Sequence, residues 1–125
     1  MMLLYEELSR EILGAAIEVH RELGPGLLES AYEECLCREL ELREIRFQRQ
    51  LELPVIDKGT RLDCGYRIDV LVEDQVLLEI KAAEALAPIH KAQLMTYLRL
   101  SQKRVGLLMN FHVVVMKDGI QRIIL

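Results

Sequence analysis

No apolar run in this 125-residue sequence approaches the roughly 18 residues that a membrane-spanning helix needs. No basic segment leads into a continuous apolar stretch at the N-terminus either. Neither a transmembrane helix nor a signal peptide is expected, and the default compartment is the cytoplasm. Cysteine is scarce: Cys35, Cys37 and Cys64 include no pair separated by two residues, which excludes a disulfide framework or a zinc site of familiar spacing and leaves three reduced small hydrophobes. His20, His90 and His112 lie far apart with no regular ligand spacing, and surface or satisfied roles suit His90 and His112. An excess of positive charge is also missing. The net charge is −4, and residues 1–50 carry 6 basic against 11 acidic side chains, so broad electrostatic adhesion to nucleic acid is not expected and any binding should depend only modestly on salt. Gly24-Pro25-Gly26 is too short, and lacks the following lysine and hydroxyl, for a nucleotide-phosphate loop. With no repeat, low-complexity tract or linker, and with 51% hydrophobic content, residues 1–125 read as one domain with a real core.

What is present begins with an amphipathic helix over 4–22, on which Leu4, Leu8, Ile12, Ala15, Val19 and Leu23 recur every three or four positions. After the Gly-Pro-Gly stop a second helix is expected over 27–44, with Leu28, Ala31, Tyr32, Cys35, Leu36 and Leu40 on its buried side. Glu29 lies in the first turn, where the helix dipole favours a carboxylate. Tyr32, three residues on, shares nearly the same face, so the pair could equally look into a cleft. From Ile45 the period changes to two, placing Phe47, Arg49, Leu51, Leu53 and Val55 on one side of a strand, ahead of a turn at Asp57-Lys58-Gly59. Residues 60–64 are expected to extend the next strand, with a bulge or bend at Gly65. Further on, Pro88 opens a helix over 89–100, where Gln93 and Tyr97 share a face and Leu94, Met95 and Leu98 make the core side. A central strand over 105–109 and a terminal hairpin of 111–116 and 120–125 complete the chain. This order predicts an α/β (α+β) fold, a mixed sheet with helices packed on it.

The stretch from Tyr66 to Ala82 carries the chemistry. With Glu73-Asp74-Gln75 as a turn, Val72 faces Val76, Val70 faces Leu78 and Ile68 faces Ile80, giving one apolar face. The same register opposes Leu71 to Leu77, Asp69 to Glu79 and Arg67 to Lys81 on the other face. Like charges directly opposite repel unless something positive stands beside them. One reading is a solvated face with a compensated charge cluster. The other is a hard divalent cation held by Asp69, Glu79 and the backbone carbonyl of Ile80, with Lys81 alongside.

Asp69 followed ten residues on by Glu79-Ile80-Lys81 resembles the PD-(D/E)xK signature of the restriction-endonuclease-like superfamily, with Ile68 where the proline, commonly missing, would stand. Gly26-Leu27-Leu28-Glu29-Ser30-Ala31-Tyr32 resembles the name-giving motif of the small GxxExxY proteins within it. The resemblance implies a restriction-endonuclease-like core of mixed β-sheet flanked by helices, here with an added C-terminal β-hairpin. It implies phosphodiester hydrolysis of DNA with magnesium or manganese held by Asp69, Glu79 and Ile80, and with Lys81 orienting water or stabilising developing charge. Glu29 then looks like the first-helix acid that helps hold the metal. Gln93 and Tyr97 resemble the glutamine and tyrosine of RecB-type nucleases, near the nucleic-acid end or backbone. A non-cleaving domain of the same fold that binds nucleic acid or protein is the alternative, favoured by the acidic total. Val113, Val115, Ile123 and Leu125, alternating on the terminal hairpin, suggest a homodimer or simply more core.

Overall fold

The computed structural model describes residues 5–125. Helix α1 (Glu6–Leu23) buries Ile12, Ala15, Ala16 and Val19 along one stripe, with Glu6 and Glu7 in its first turn and Arg21 in its last, where their charges complement the helix dipole. Leu4, expected in this helix, lies outside the described residues. The helix stops at Gly24, whose φ of +69° is the left-handed conformation that glycine adopts without steric cost. Helix α2 (Glu29–Leu42) is shorter at both ends than expected, so Leu28 precedes it and is 77% exposed instead of buried. Tyr32, Leu36, Cys37 and Leu40 form its buried face.

Strands β1 (Phe47–Glu52), β4 (Arg67–Val72), β5 (Val76–Lys81), β6 (Val105–Asn110) and β7 (Ile120–Ile124) make a five-stranded sheet in the order β1-β4-β5-β6-β7. Only β5 and β6 run parallel, joined through helix α3 (Pro88–Ser101), so the expected mixed sheet flanked by helices is what forms. Alternation sorts the core. Val70, Val72, Val76, Leu78, Ile80, Val105, Leu107 and Met109 pack with α1 and α2. Leu71, Leu77 and Leu108 pack with Leu94, Tyr97 and Leu98 of α3 on the other face. Because β5 and β6 are covered on both faces, every residue from Val76 to Ile80 and from Val105 to Asn110 is buried. Among the described residues no helix is long and apolar enough to cross a membrane.

Two expectations fail here. Residues 60–64 do not extend the next strand: β2 (Val55–Asp57) and β3 (Thr60–Leu62) pair only with each other as a small separate hairpin. Lys58 and Gly59, at φ +51° and +81°, reverse the chain between them, and Cys64, just beyond, is exposed instead of packed as a small hydrophobe. At the other end, 111–116 is no strand. β7 pairs with β6, from Val105↔Ile124 to Met109↔Ile120, and the intervening segment is a loop ending in a 3₁₀ turn over Met116–Gly119. Hydrogen bonds hold that loop in place. Asn110 Oδ1 accepts from the His112 N–H at 3.2 Å, and His20 Nε2 lies 2.7 Å from the Val113 carbonyl. A Cβ at Gly119 would collide with the Asn110 carbonyl. Val113 packs on the α1/α2 core and Ile123 on the α3 core, so Val113, Val115, Ile123 and Leu125 share no face, which removes the surface on which the homodimer expectation rested.

Candidate active site

The β4–β5 pair forms in the expected register at Val70↔Leu78, Leu71↔Leu77 and Val72↔Val76. There the ladder ends. The expected oppositions of Ile68 to Ile80, Asp69 to Glu79 and Arg67 to Lys81 are not made; instead Asp69 Oδ2 accepts the Ile80 backbone N–H at 2.8 Å. A carboxylate thus occupies the place of the missing ladder partner, so the backbone donor stays satisfied.

The irregularity extends one strand over. Gln50 has φ +49°, a left-handed conformation inside β1, and it reverses the alternation of the strand. Phe47 packs toward α1 and α2, but Leu51 and Leu53 lie on the α3 side. Ile68 of β4, opposite Leu51, lies on the α3 side as well, not with Val70 as the regular alternation required. Gln50 and Asp69, level with each other across β1 and β4, are thereby brought together, with Gln50 Nε2 3.5 Å from Asp69 Oδ1.

Helix α2 supplies the facing wall. Glu33 is buried; its Oε2 accepts from Arg49 Nη2 at 2.8 Å and Nε at 3.1 Å, and its Oε1 accepts from Gln50 Nε2 at 2.8 Å. These bonds fasten the irregular part of β1 to α2 and raise the Arg49 pKa further. Glu29, one turn earlier, is exposed, and its Oε2 lies 3.4 Å from the Ala82 N–H. A cleft of about 440 Å³ opens between Glu29, Ser30, Glu33, Gln50, Asp69 and Ile80. Tyr32 does not look into it. Its ring is buried, stacked on Phe111 at 4.6 Å, while its hydroxyl donates to the Gly24 carbonyl at 2.5 Å and accepts from the Leu27 N–H at 3.2 Å. Tyr32 therefore fixes the loop that delivers Glu29. Glu33 escaped the sequence reading, although its spacing of four from Glu29 places both on one helix face.

Glu79 and Lys81 alternate onto the α3 side, with Lys81 Nζ 3.8 Å from Glu79 Oε2. Burial pushes the Glu79 carboxyl up to about 8; the Asp69 charge adds to the rise, Lys81 opposes it, and Glu29 and Glu33 contribute in the same upward sense. Burial also raises Asp69, against the lowering effect of the Ile80 hydrogen bond. Gln93 Nε2 donates to the Tyr97 hydroxyl at 3.0 Å. The Tyr97 phenol is raised first by burial and also by the Glu79 and Asp69 charges, so this pair stands beside the carboxylates. Asn110, next to Lys81 across the parallel ladder, bonds both the N–H and the carbonyl of Ala83 and pins the chain leaving β5. His20 and His90 hold loop and helix-start backbone groups, outside this cluster.

The donor set suits a hard cation. It is all oxygen, and among the described residues Glu79 Oε1 is buried without a hydrogen-bond partner, an acceptor open to a cation. Among the described residues no three His, Cys, Asp or Glu side chains are grouped to hold a metal, so Glu29 does not close a cage round Asp69 and Glu79.

Searches of curated proteins and of solved structures find no match. A family model for the PD-(D/E)XK nuclease superfamily, whose members generally use divalent metals, matches residues 6–123. That match spans the five-stranded mixed sheet, the three helices and the Asp69, Glu79 and Lys81 cluster, and it shows that the chain belongs to the PD-(D/E)XK nuclease superfamily.

Proposed function

We propose that this protein hydrolyses DNA phosphodiesters in a metal-dependent reaction, with Asp69, Glu79, Lys81, Gln93 and Tyr97 as the working side chains. The observation that carries the reading is the buried, unpartnered Glu79 Oε1 beside Asp69 and within 3.8 Å reach of Lys81 for its other oxygen. Magnesium or manganese, held by Asp69, Glu79 and the Ile80 carbonyl, with Glu29 of α2 reaching it through water, would supply Lewis-acid polarisation of the phosphate and of the attacking water.

The chain's own groups do the rest. Asp69 is oriented by the Ile80 N–H before any ligand arrives. Lys81 is kept at the cluster by Glu79, and its compact ammonium can reach a phosphate oxygen and a water without a planar partner. The Gln93 bond aims the Tyr97 hydroxyl, which lies next to the carboxylates and suits contact with the nucleic-acid backbone. The Gly26-to-Tyr32 stretch supports membership of the GxxExxY proteins, with Tyr32 as the residue that sets the approach of α2. A cytoplasmic, single-domain enzyme over 1–125 is part of the same proposal.

Cleavage of linear and circular DNA with magnesium or manganese, compared with Lys81→Ala and Asp69→Ala, tests it; equal activity in the variants removes the site. The net charge of −4 favours one rival, a non-cleaving binding domain of the same fold. Calorimetric titration with manganese separates the two, because the rival takes up no metal with or without DNA.

A further inference from the structure

A second cleft, of about 530 Å³, lies on the α3 side between Val55, Tyr66, Ile89, Gln93, Tyr97 and Leu100. Among the described residues no charged side chain lines it. Tyr66 is 45% exposed and Ile89 69% exposed, and the Tyr66 and Tyr97 rings are tilted by 56° with centroids 5.9 Å apart. The Tyr66 carbonyl accepts the Leu53 N–H at 2.9 Å, so the exposed ring stands on a fixed backbone. We infer that this cleft receives one unpaired nucleobase, stacked on Tyr66, and that the substrate of the adjacent site is accordingly single-stranded or frayed nucleic acid.

The inference rests on the phosphodiester reading proposed above and deepens it. A neutral, aromatic-walled cleft fits a neutral planar group and does not fit a phosphate. A base is tied to its phosphate by one sugar, so its cleft must border the phosphate site. Tyr97 is that border, since its phenol lines the cleft and senses the Glu79 and Asp69 charges. Gln93 spends one N–H on Tyr97, and its carboxamide oxygen and second N–H are left to meet a base edge. In a duplex the face of each base is covered by its neighbours, so only an unstacked base can enter. Stacking also suits a chain with little positive charge to spend on phosphates.

The test is fluorescence anisotropy with a labelled 12-nucleotide thymidine strand, its abasic counterpart and a duplex, in calcium, on the full chain and on Tyr66→Ala and Tyr66→Phe. The parent is expected to prefer the base-bearing strand over the abasic one by roughly tenfold, with Tyr66→Ala abolishing the preference and Tyr66→Phe keeping it. Equal binding of base-bearing and abasic strands by the parent, a preference that survives Tyr66→Ala, or duplex bound as well as the single strand overturns the cleft assignment while leaving the phosphodiester reading in place. Binding of none of the three overturns both.

Discussion

Replacing Glu79 by glutamine isolates what its charge does to the protein. In the parent, burial and the neighbouring Asp69 charge hold the Glu79 carboxyl up to about 8, against an ordinary value of 4.5. The native state then keeps a proton that the unfolded chain gives up. Stability from this group is present in full below about pH 4.5, declines as pH rises, and is lost once pH passes about 8. At about 1.4 kcal/mol per pKa unit, the ceiling on that loss is about 5 kcal/mol. The side chain is only 7% exposed, so solvent screening removes little, but relaxation of the surroundings and Lys81 at 3.8 Å recover part of the cost. A loss of about 2–4 kcal/mol is the expected observable.

The neutral amide of Glu79→Gln cannot titrate. Urea denaturation in chelator should therefore show parent and variant nearly equal at pH 5, with the variant more stable by about 2–4 kcal/mol at pH 8.5. Curves that run parallel across this range would refute the reasoning, because they would mean that Glu79 is ionised at no cost. Manganese supplies the converse. At a hundredfold excess over its dissociation constant it should stabilise the parent at pH 8 by about 2.7 kcal/mol, less at pH 5 where the proton competes, and the variant hardly at all.

Tyr32→Phe removes one hydroxyl that serves both the Gly24 carbonyl and the Leu27 N–H, and should lower the unfolding free energy by about 1–2 kcal/mol in a urea titration while leaving the Phe111 stack intact. Glu33→Ala strips Arg49 and Gln50 of their partner and should cost about 2–3 kcal/mol by the same measurement, short of a fully buried pair because Glu34 still bonds Arg49 at 3.1 Å. Gln50→Val places a β-branched residue at φ +49° and should cost about 1–3 kcal/mol and abolish manganese stabilisation, whereas Gln50→Gly should keep the backbone path and most of the metal response.

The parts of this fold legible in the sequence are those set by local period. The α1 stripe, the alternation of Val70, Val72, Val76 and Leu78, and the register of the hairpin near its turn all follow from spacing, because one face must be buried. The failures occur where a distant group decides. Phe111, Val113 and Val115 have a strand's alternation, yet Asn110 and His20 take the backbone bonds and hold a loop. Asp69, Glu79 and Lys81 stand out in the hairpin pattern, although the direct opposition of Asp69 to Glu79 that singles them out is not made, and Glu29, Gln93 and Tyr97 stand out only through the order of the motifs. Glu33 carried a readable signal in its helical spacing. Gln50 carried none, since its left-handed backbone is sustained by Glu33, seventeen residues away.

The two acids of the hairpin end up in unlike positions, and the difference bears on how the site is prepared. Direct opposition of Asp69 and Glu79 across a continuous ladder would have placed two charges face to face. The ladder stops at Val70↔Leu78, next to the left-handed Gln50, and Asp69 turns to satisfy the Ile80 N–H, so its orientation serves a backbone need that exists with or without a ligand. Glu79 has no such service: one oxygen meets Lys81 at 3.8 Å and the other has no hydrogen-bond partner among the described residues. The unfavourable free energy of ionising the cluster therefore falls mainly on one carboxylate. A cation relieves it there, while the geometry that receives the cation is already fixed by Asp69, and preorganisation and instability reside on different residues of the same pair.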